Sequence, residues 1–297
     1  MKIRGNTLQI MTLYDILAMG RDRMTEKLLF HYKDENLFVK HALTNQPDPE
    51  DFSFRSHYHN MYEIYYYLQG NADFVVEGGI YPLKRGILLF TAQGQTHNIL
   101  IRSGEDYERL VIMFEKEHIP VGAQQIIDAL LGGQNCFSLS DRDAAWLESC
   151  FESIESADRH GISVRETAEA VIHLILLKLC QYVQTERMNL PAGDDVVRKA
   201  VRYINENLTG DCTLETLEKV LFRNKAYLNR RFKSVMGCTI WEYVMRKRIF
   251  SAQQQLYLSK SVGAAFASSG FNDYSAFYRK YKKYIGMSPQ EDLRRYR

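Results

Sequence analysis

Apolar and polar positions follow two different periods along the chain. From Leu37 to about Phe114, short apolar and aromatic runs such as MYEIYYYL, ADFVVE and GILLF alternate with turn signals such as QGN, GG and KRG. Runs of this kind, repeated at short intervals, are typical of an antiparallel barrel or sandwich. Gly78 and Gly79 lie between two such runs and are expected to provide the positive φ angles of a tight hairpin turn.

The period changes after Pro120, where apolar residues recur three and four positions apart. The segments DRDAAWLESCFESIESA and VRETAEAVIHLILLKLCQYVQ predict two long amphipathic helices. The second helix has an unusually wide apolar face, formed by Ala170, Val171, Leu174, Ile175, Leu177 and Leu179. Two interpretations stay open, a homodimer contact through this face and packing of the helix against its own barrel.

Nearly all of the chain beyond Asp195 has helical periodicity. Two units share one plan, in which a short helix (TLETLEKVL, then SVGAAFASS) precedes a turn and a helix rich in cations and aromatics (KAYLNRRFKSVMG, then DYSAFYRKYKKYIG). This plan predicts a tandem helix-turn-helix, which places its second helices in the major groove of DNA. The stripes predicted to face inward are Leu228, Phe232 and Val235 in the first unit and Phe277, Tyr281 and Tyr284 in the second.

Charge is distributed unevenly between these two parts. The whole chain of 297 residues has a formal net charge of only +2. Residues 196–297, however, contain 20 Lys and Arg against 8 Asp and Glu, a net charge of +12, whereas residues 1–195 have a net charge of −10. Because Lys and Arg displace counterions from phosphates, so basic a segment indicates a nucleic-acid partner.

The rest of the composition argues against several other classes of protein. The five cysteines are odd in number and include no CxxC pair, so they predict reduced thiols and neither a disulfide framework nor a zinc ribbon. The best apolar run, AVIHLILLKLC, is interrupted by His173 and Lys178 and is too short to span a bilayer. We therefore expect a cytoplasmic protein without a membrane partner.

The stretch from about Val196 to Pro289 resembles the DNA-binding domain of the AraC/XylS family of transcription regulators. The likeness is sharpest in YLNRRFKSVMG, in GFNDYSAFYRKYKKYIGMSP and in Arg248 and Ala252 between them. The resemblance implies two helix-turn-helix units held by a linking helix. It also implies a transcription regulator, most often an activator in this family, that binds double-stranded DNA and contacts RNA polymerase. The residues expected to face DNA are Asn224, Lys225, Ala226, Asn229, Arg230, Lys233, Asn272, Tyr274, Ser275, Tyr278, Arg279 and Lys282.

Two departures from the family pattern fall in the first unit. Glu218 stands where a small residue is usual, and Phe222 stands at the turn, where the family normally has Gly. These changes concern packing and turn geometry more than the fold.

A second resemblance lies in HYHNMYEIYYYLQG, where His57, His59 and Glu63 have the spacing of the first cupin motif. The second motif is partial, because His97 is in place while Ala92 replaces the usual Pro. Three imidazoles and a carboxylate suit a divalent metal with open coordination positions. Sensor barrels of AraC-type regulators also resemble cupins while binding an organic effector without metal, so a required cofactor is not expected and the metal remains an alternative.

Alternation along this string places a polar set on one face of a strand if no bulge intervenes. With the second-motif histidine, the expected effector-binding residues are Arg55, His57, His59, Glu63, Tyr65, Tyr67 and His97. A face rich in His, Glu and Tyr suits a sugar or related polyol, whose hydroxyls need hydrogen-bond partners and whose C–H faces stack on aromatic rings. In the competing interpretation the tyrosines face outward and the histidines are satisfied core groups.

These observations predict an α+β, two-domain chain with a cupin-like antiparallel β-barrel, flanking helices and a C-terminal all-α tandem helix-turn-helix. The expected boundaries are 1–120 for the barrel, 121–187 for a helical subdomain, 188–195 for a linker and 196–297 for the DNA-binding domain. The predicted function is effector-controlled transcription regulation by a homodimer that is not an enzyme. The alternatives are a metal-dependent cupin enzyme, such as a dioxygenase or sugar isomerase, or a metal sensor, either with a helical tail, and a protein-binding adaptor.

Overall fold

The computed structural model describes residues 26–48, 54–185 and 195–295. The predicted fold class is confirmed, with antiparallel sheets in the first part and helices alone in the last. Most of the predicted linker lies outside the described residues, and its last position, Asp195, begins a helix.

The first part consists of two antiparallel sheets that face each other. Their strands are β1 (Glu26–Lys33), β2 (Leu37–Thr44), β3 (Tyr62–Gln69), β4 (Ala72–Val76), β5 (Gly79–Pro82), β6 (Ile87–Thr91), β7 (His97–Ile101), β8 (Tyr107–Phe114) and β9 (Cys136–Ser138). The larger sheet has the order β1-β2-β8-β3-β6-β9, and the smaller has the order β5-β4-β7. Across the described residues the ladders do not close into one continuous barrel.

Strand β3 has two buried faces because each lies against a different layer. Ile64 and Tyr66 pack with the helices outside the larger sheet. Tyr65 instead packs with the residues between the sheets, where its ring centroid lies 5.1 Å from that of Phe74 on β4. The period-two pattern of the sequence therefore separates an outer apolar layer from an inner, more polar one.

The hairpin between β4 and β5 differs by one residue from the prediction. Positive φ angles occur at Glu77 (47°) and Gly78 (81°), while Gly79 is already in β5 opposite Val76. A two-residue turn with both φ angles positive matches the twist of its strands. The pairing of Val76 with Gly79 places Glu77 and Gly78 in the turn, whereas the sequence had suggested Gly78 and Gly79.

Helices cover the outer face of the larger sheet. They are α1 (Gln124–Leu131), α2 (Asp141–Arg159) and α3 (Val164–Thr185). The wide apolar face of α3 is divided, since Val171, Ile175 and Leu179 are buried whereas Leu174 and Leu177 are 54% and 44% exposed. Packing against the sheet therefore uses one half of the face. Strand β9 interrupts the region predicted as helical because it pairs with β6.

The last part contains the helices α4 (Asp195–Glu206), α5 (Leu214–Leu221), α6 (Lys225–Met236), α7 (Ile240–Ser259), α8 (Val262–Ala267), α9 (Tyr274–Ile285) and α10 (Pro289–Arg295). The pairs α5–α6 and α8–α9 are the two predicted units, and α7 links them. The predicted inward stripes are confirmed, because Leu228, Phe232 and Val235 on α6 and Phe277, Tyr281 and Tyr284 on α9 are all buried.

Side-chain caps and clamps fix these short helices. Thr239 and Glu242 form a reciprocal capping box at the start of α7. The Arg248 guanidinium on α7 donates to the Leu208 and Gly210 carbonyl oxygens at 2.8 and 2.7 Å. Phe222 ends α5 in the left-handed region, with φ 52° and its side chain 84% exposed. A non-glycine residue is strained there, so the family's usual Gly would fit this turn better.

Candidate functional site

A cavity lies between the two sheets and has about 690 Å³ of space not occupied by protein atoms, its open mouth included. Apolar and aromatic side chains form most of its wall, among them Phe38, Phe54, Phe74, Ile99, Val111 and Met113. Polar side chains are concentrated in two groups, which we call the histidine group (His57, His59, Glu63 and His97) and the cationic group (Glu26, Lys40 and Arg109). An apolar cavity with a few convergent polar groups is typical of a small-molecule site.

The histidine group is held by backbone hydrogen bonds that orient every ring. The Nδ1 atoms of His57, His59 and His97 lie 2.8, 3.0 and 2.9 Å from the carbonyl oxygens of residues 55, 61 and 95. An Nδ1–H that donates to a carbonyl leaves Nε2 as the free ring nitrogen. Glu63 lies 2.9 Å from the Nε2 of His59 and 3.0 Å from that of His97. The rings of His59 and His97 therefore both direct Nε2 towards the Glu63 carboxylate.

Burial and neighbouring charges separate the pKa values of these groups. Burial, together with the adjacent His97 and His59, lowers the pKa of His57 to about 3, so this ring is neutral. Burial opposes charge on His97 as well, but the Glu63 carboxylate raises the pKa of that imidazole. Burial would raise the pKa of Glu63, and the two histidines beside it lower that pKa instead. Glu63 thus supplies a negative charge inside the cavity.

The histidine group also fits a metal ion in its donor set. One ring nitrogen from each of His57, His59 and His97 lies within 4.8 Å of the other two. Carbonyl oxygens bound to the opposite ring nitrogens are the outer partners that metal-ligating histidines commonly have. The Nε2 of His97 is buried and has no aligned hydrogen-bond partner among the described residues. The same atoms could equally accept hydrogen bonds from ligand hydroxyls.

The cationic group was missed by sequence reasoning. Glu26 on β1 accepts hydrogen bonds from Lys40 on β2, at 2.9 Å, and from Arg109 on β8. Register brings the two cations together, because Ala42, two residues after Lys40, pairs with Arg109. A signal existed in LFVKHALT, where Lys40 alternates with the buried Phe38 and Ala42 and so lies on an inward face.

Two of the predicted effector residues lie outside the cavity lining. Arg55 is exposed, because β3 begins only at Tyr62 and the chain before it is not a strand but has an isolated β-bridge between His57 and His97. Alternation counted from Arg55 therefore does not apply to that residue. Tyr67 is buried on the same side of β3 as Tyr65, but its hydroxyl donates to the Gly70 carbonyl oxygen beyond the cavity.

The segment from Ser56 to Asn60 has one side on the cavity and the other on α7. Its odd positions are the two cavity histidines, and its even positions reach the linking helix. The Ser56 hydroxyl lies 3.3 Å from an Arg246 guanidinium nitrogen, and the Tyr58 hydroxyl donates to the Arg246 carbonyl oxygen at 3.3 Å. The Tyr58 ring meets that of Phe250 edge to face at 5.7 Å, and Asn60 accepts from Gln254 at 2.7 Å.

Two turns of the smaller sheet also contact the C-terminal helices. Glu77 accepts hydrogen bonds from Tyr243 at 2.5 Å, from Lys247 at 2.9 Å and from Asn205 at 3.1 Å. Burial alone would raise the pKa of Glu77, but the charge of Lys247 and these hydrogen bonds lower it. Lys247 donates in addition to the Gly94 carbonyl oxygen at 3.0 Å. The apolar core of the helices extends into the sheets at Tyr58 and Val75.

The residues predicted to face DNA lie on α6, on α9 and just before them, and most are exposed. The exposed members are Asn224, Lys225, Ala226, Arg230, Lys233, Asn272, Tyr274, Ser275, Arg279 and Lys282, while Asn229 and Tyr278 are half-buried. Several of them also have structural partners. Asn224 caps α6 by accepting from the Ala226 amide, Lys225 pairs with Glu215 at 3.0 Å, and Asn229 accepts from the Ile240 amide at 3.2 Å.

Two family models match separate parts of the chain. The model of the AraC-like ligand binding domain matches residues 46–176, and a helix-turn-helix domain matches residues 217–295. No helix in the described ranges is long and apolar enough to cross a membrane.

Similar proteins are transcription regulators. The chain is 25% identical to the probable transcriptional regulator LumQ of Photobacterium leiognathi over 243 residues, which cover 80% of this chain and 92% of that protein. It is 23% identical to the transcriptional activator RhaS of Mannheimia succiniciproducens over 294 residues, covering 90% of this chain and 99% of the other. It is 24% identical to the lactose operon transcription activator of Staphylococcus xylosus over 143 residues, which cover 47% and 50% of the two chains.

Proposed function

Because the chain belongs to the AraC family of transcription regulators, which bind DNA under the control of a small-molecule effector, we propose that the effector binds between the two sheets and that residues 56–60 communicate its presence to the DNA-binding helices. In this proposal α6 and α9 enter successive major-groove segments. The proposed DNA contacts are those named above on and before these two helices.

One observation carries the proposed communication, the alternation of residues 56–60 between the cavity and α7. A ligand that contacts His57 or His59 must move or fix the same backbone that holds Ser56 and Tyr58 against Arg246. A ligand shifts an equilibrium only through a difference in its binding to two states. This segment gives such a difference a short physical route to the linking helix.

The effector class that we propose is a polyhydroxylated small molecule, a sugar or a related polyol. The histidine group provides acceptors and donors for hydroxyl groups, and Phe38, Phe54 and Phe74 provide aromatic faces for the C–H surface of such a ligand. One of the similar proteins is the activator of a lactose operon. This likeness supports the class of effector and does not identify the compound.

DNA binding is tested with the full chain by selecting bound fragments from a genomic library and measuring the affinity for them across salt concentrations. Affinity should fall steeply with salt, because Lys and Arg of the basic helices replace counterions on phosphates. A protein-binding adaptor or a cupin enzyme would have no selected sequence and no salt-dependent DNA affinity. The absence of a selected sequence, or of a DNA affinity that depends on salt, would overturn the proposed function.

A metal ion bound by the histidine group is a second candidate, favoured by the three carbonyl-oriented rings. His57, His59, His97 and Glu63 would hold it, and it would supply a Lewis-acidic position for an effector oxygen. Metal analysis of protein purified without chelator, compared with the Glu63→Gln variant, tests this candidate. Stoichiometric metal that is lost in the variant would support it. Metal-free protein whose effector response disappears in the variant would favour the purely organic effector.

Assembly and promoter contact complete the proposal. The exposed half of the α3 face, with Ala170, Leu174 and Leu177 spaced along one stripe, is the surface we propose for a homodimer. Sedimentation of the Leu174→Glu variant should show a monomer if this face pairs two copies. Activation would further require contact with RNA polymerase, which transcription in a purified system would reveal.

A further inference from the structure

The cationic group of the cavity contains two positive side chains and one carboxylate. The Lys40, Arg109 and Glu26 side chains are only 16%, 6% and 14% exposed. The other acidic residue of the lining, Glu63, is already placed between His59 and His97. Among the described residues, Glu26 is therefore the carboxylate that bonds both buried cations directly. Uncompensated charge away from water is costly.

The electrostatic state of Lys40 agrees with this imbalance. Burial and the neighbouring Arg109 lower the pKa of Lys40 to about 8, although Glu26 and, more weakly, Glu63 act in the opposite direction. A second anion near the ammonium group would raise the pKa of Lys40 back towards its usual value. Lys40 therefore has capacity for a further negatively charged partner.

Arg109 also has unused hydrogen-bonding capacity. Its guanidinium carries five N–H donors, and the bonds described for it go to Thr44, at 2.8 Å, and to Glu26. The group lies over the Tyr107 ring, with its central carbon 5.1 Å from the ring centroid. A planar guanidinium fixed in this way is preorganised for a carboxylate or a phosphate.

We propose that the effector carries a carboxylate or phosphate group, and that this anion binds Lys40 and Arg109 in the place that the Glu26 carboxylate holds in its absence. This inference rests on the proposed effector site and narrows it to anionic compounds such as sugar acids or sugar phosphates. In this proposal the hydroxyl groups of such a ligand bind the histidine group of the same cavity. Glu26 is then an internal competitor of the effector.

Replacement of Glu26 gives the most direct test, because it needs no knowledge of the full effector. The Glu26→Ala variant of the full chain should be stabilised against thermal unfolding by millimolar acetate or inorganic phosphate, relative to chloride at equal ionic strength. A preference for acetate identifies a carboxylate effector, and a preference for phosphate identifies a phosphorylated one. The double variant Glu26→Ala/Lys40→Met should lose the response. Equal stability in all three salts would overturn the proposal.

Wild-type protein provides a second, independent measurement by calorimetry with gluconate, glucose 6-phosphate and glucose. One of the two anions should bind at least about tenfold more tightly than glucose, and Glu26→Gln should increase that affinity. Glucose binding as tightly as both anions would refute the inference. The salt-dependent DNA titration, done without any ligand on the same preparation, separates this failure from failure of the proposed function.

Discussion

Replacing Gly94 by Ala tests the contact between the sheets and the helices at a single atom. The added Cβ would lie 2.6 Å from Cζ of Phe250 on α7 and still closer to two other carbons of that ring. Gly94 also has φ +74°, which a side chain disfavours. Left-handed backbone costs about 1–2 kcal/mol, and overpacking costs about 1–3 kcal/mol. We therefore expect the unfolding free energy to fall by about 2–5 kcal/mol.

Two further variants separate the steric cost from the backbone cost. Gly161 has φ +67° and no atom within 4 Å of an added Cβ, so Gly161→Ala carries the backbone cost alone. Phe250→Ala removes the ring, so in that background Gly94→Ala should cost no more than Gly161→Ala. The resulting coupling energy between positions 94 and 250 should be about 1–3 kcal/mol.

Urea denaturation followed by tryptophan fluorescence measures these free energies. The chain has two tryptophans, Trp146 on α2 and Trp241 on α7, so single-tryptophan backgrounds report each part separately. The shared core predicts coincident transitions in the parent protein and separated transitions in Gly94→Ala. If Gly94→Ala costs no more than Gly161→Ala, or keeps its excess cost without the Phe250 ring, the described contact between the two parts is wrong.

Three other predictions concern the DNA-binding helices. Phe222→Gly should stabilise the protein by about 0.5–1 kcal/mol in thermal unfolding, because it relieves left-handed strain at an 84% exposed side chain; destabilisation would show that the ring has a packing role. Arg230→Ala should cost about 1–3 kcal/mol of binding confined to one operator position, and equal loss on random DNA would make Arg230 a phosphate contact. Lys282→Ala should weaken binding to all sequences and lower the salt slope by about one, whereas an unchanged slope would exclude a phosphate contact.

Sequence reasoning worked best where one local period determines the structure. The inward stripes of α6 and α9 follow from helical spacing alone, and Leu228 and Phe277 are buried as predicted. Alternation likewise brought Glu63 and Tyr65 to the same side of β3. It could not place Arg55, because that residue lies outside the strands, before the isolated β-bridge at His57.

Features that depend on distant strands could not be predicted in this way. Lys40 and Arg109 are neighbours only because β2 pairs with β8 in one register. The contacts of Glu77 with Tyr243 and Lys247 depend on how two separately predicted parts pack together. The hairpin residue with positive φ was misplaced by one position for the same reason, since strand register, and not glycine preference, determines which residues form the turn.

In the mechanism that we propose, the cavity and the DNA-binding helices are coupled through the contacts with α7. This coupling is tested by measuring the operator affinity of the full chain by fluorescence anisotropy with and without the ligand found by calorimetry, in the parent protein and in Lys247→Glu. Lys199→Glu is the matched control, because it makes the same charge change at an exposed α4 residue that pairs with Asp195.

We predict that ligand changes the operator affinity of the parent and of Lys199→Glu by a factor of about 5–150, and that operator DNA changes the ligand affinity by the same factor. In Lys247→Glu the new carboxylate faces that of Glu77 and repels it. The factor by which ligand changes the operator affinity should therefore fall towards one while ligand still binds. Full coupling in Lys247→Glu, or a ligand that binds the parent without changing its operator affinity, would contradict the account.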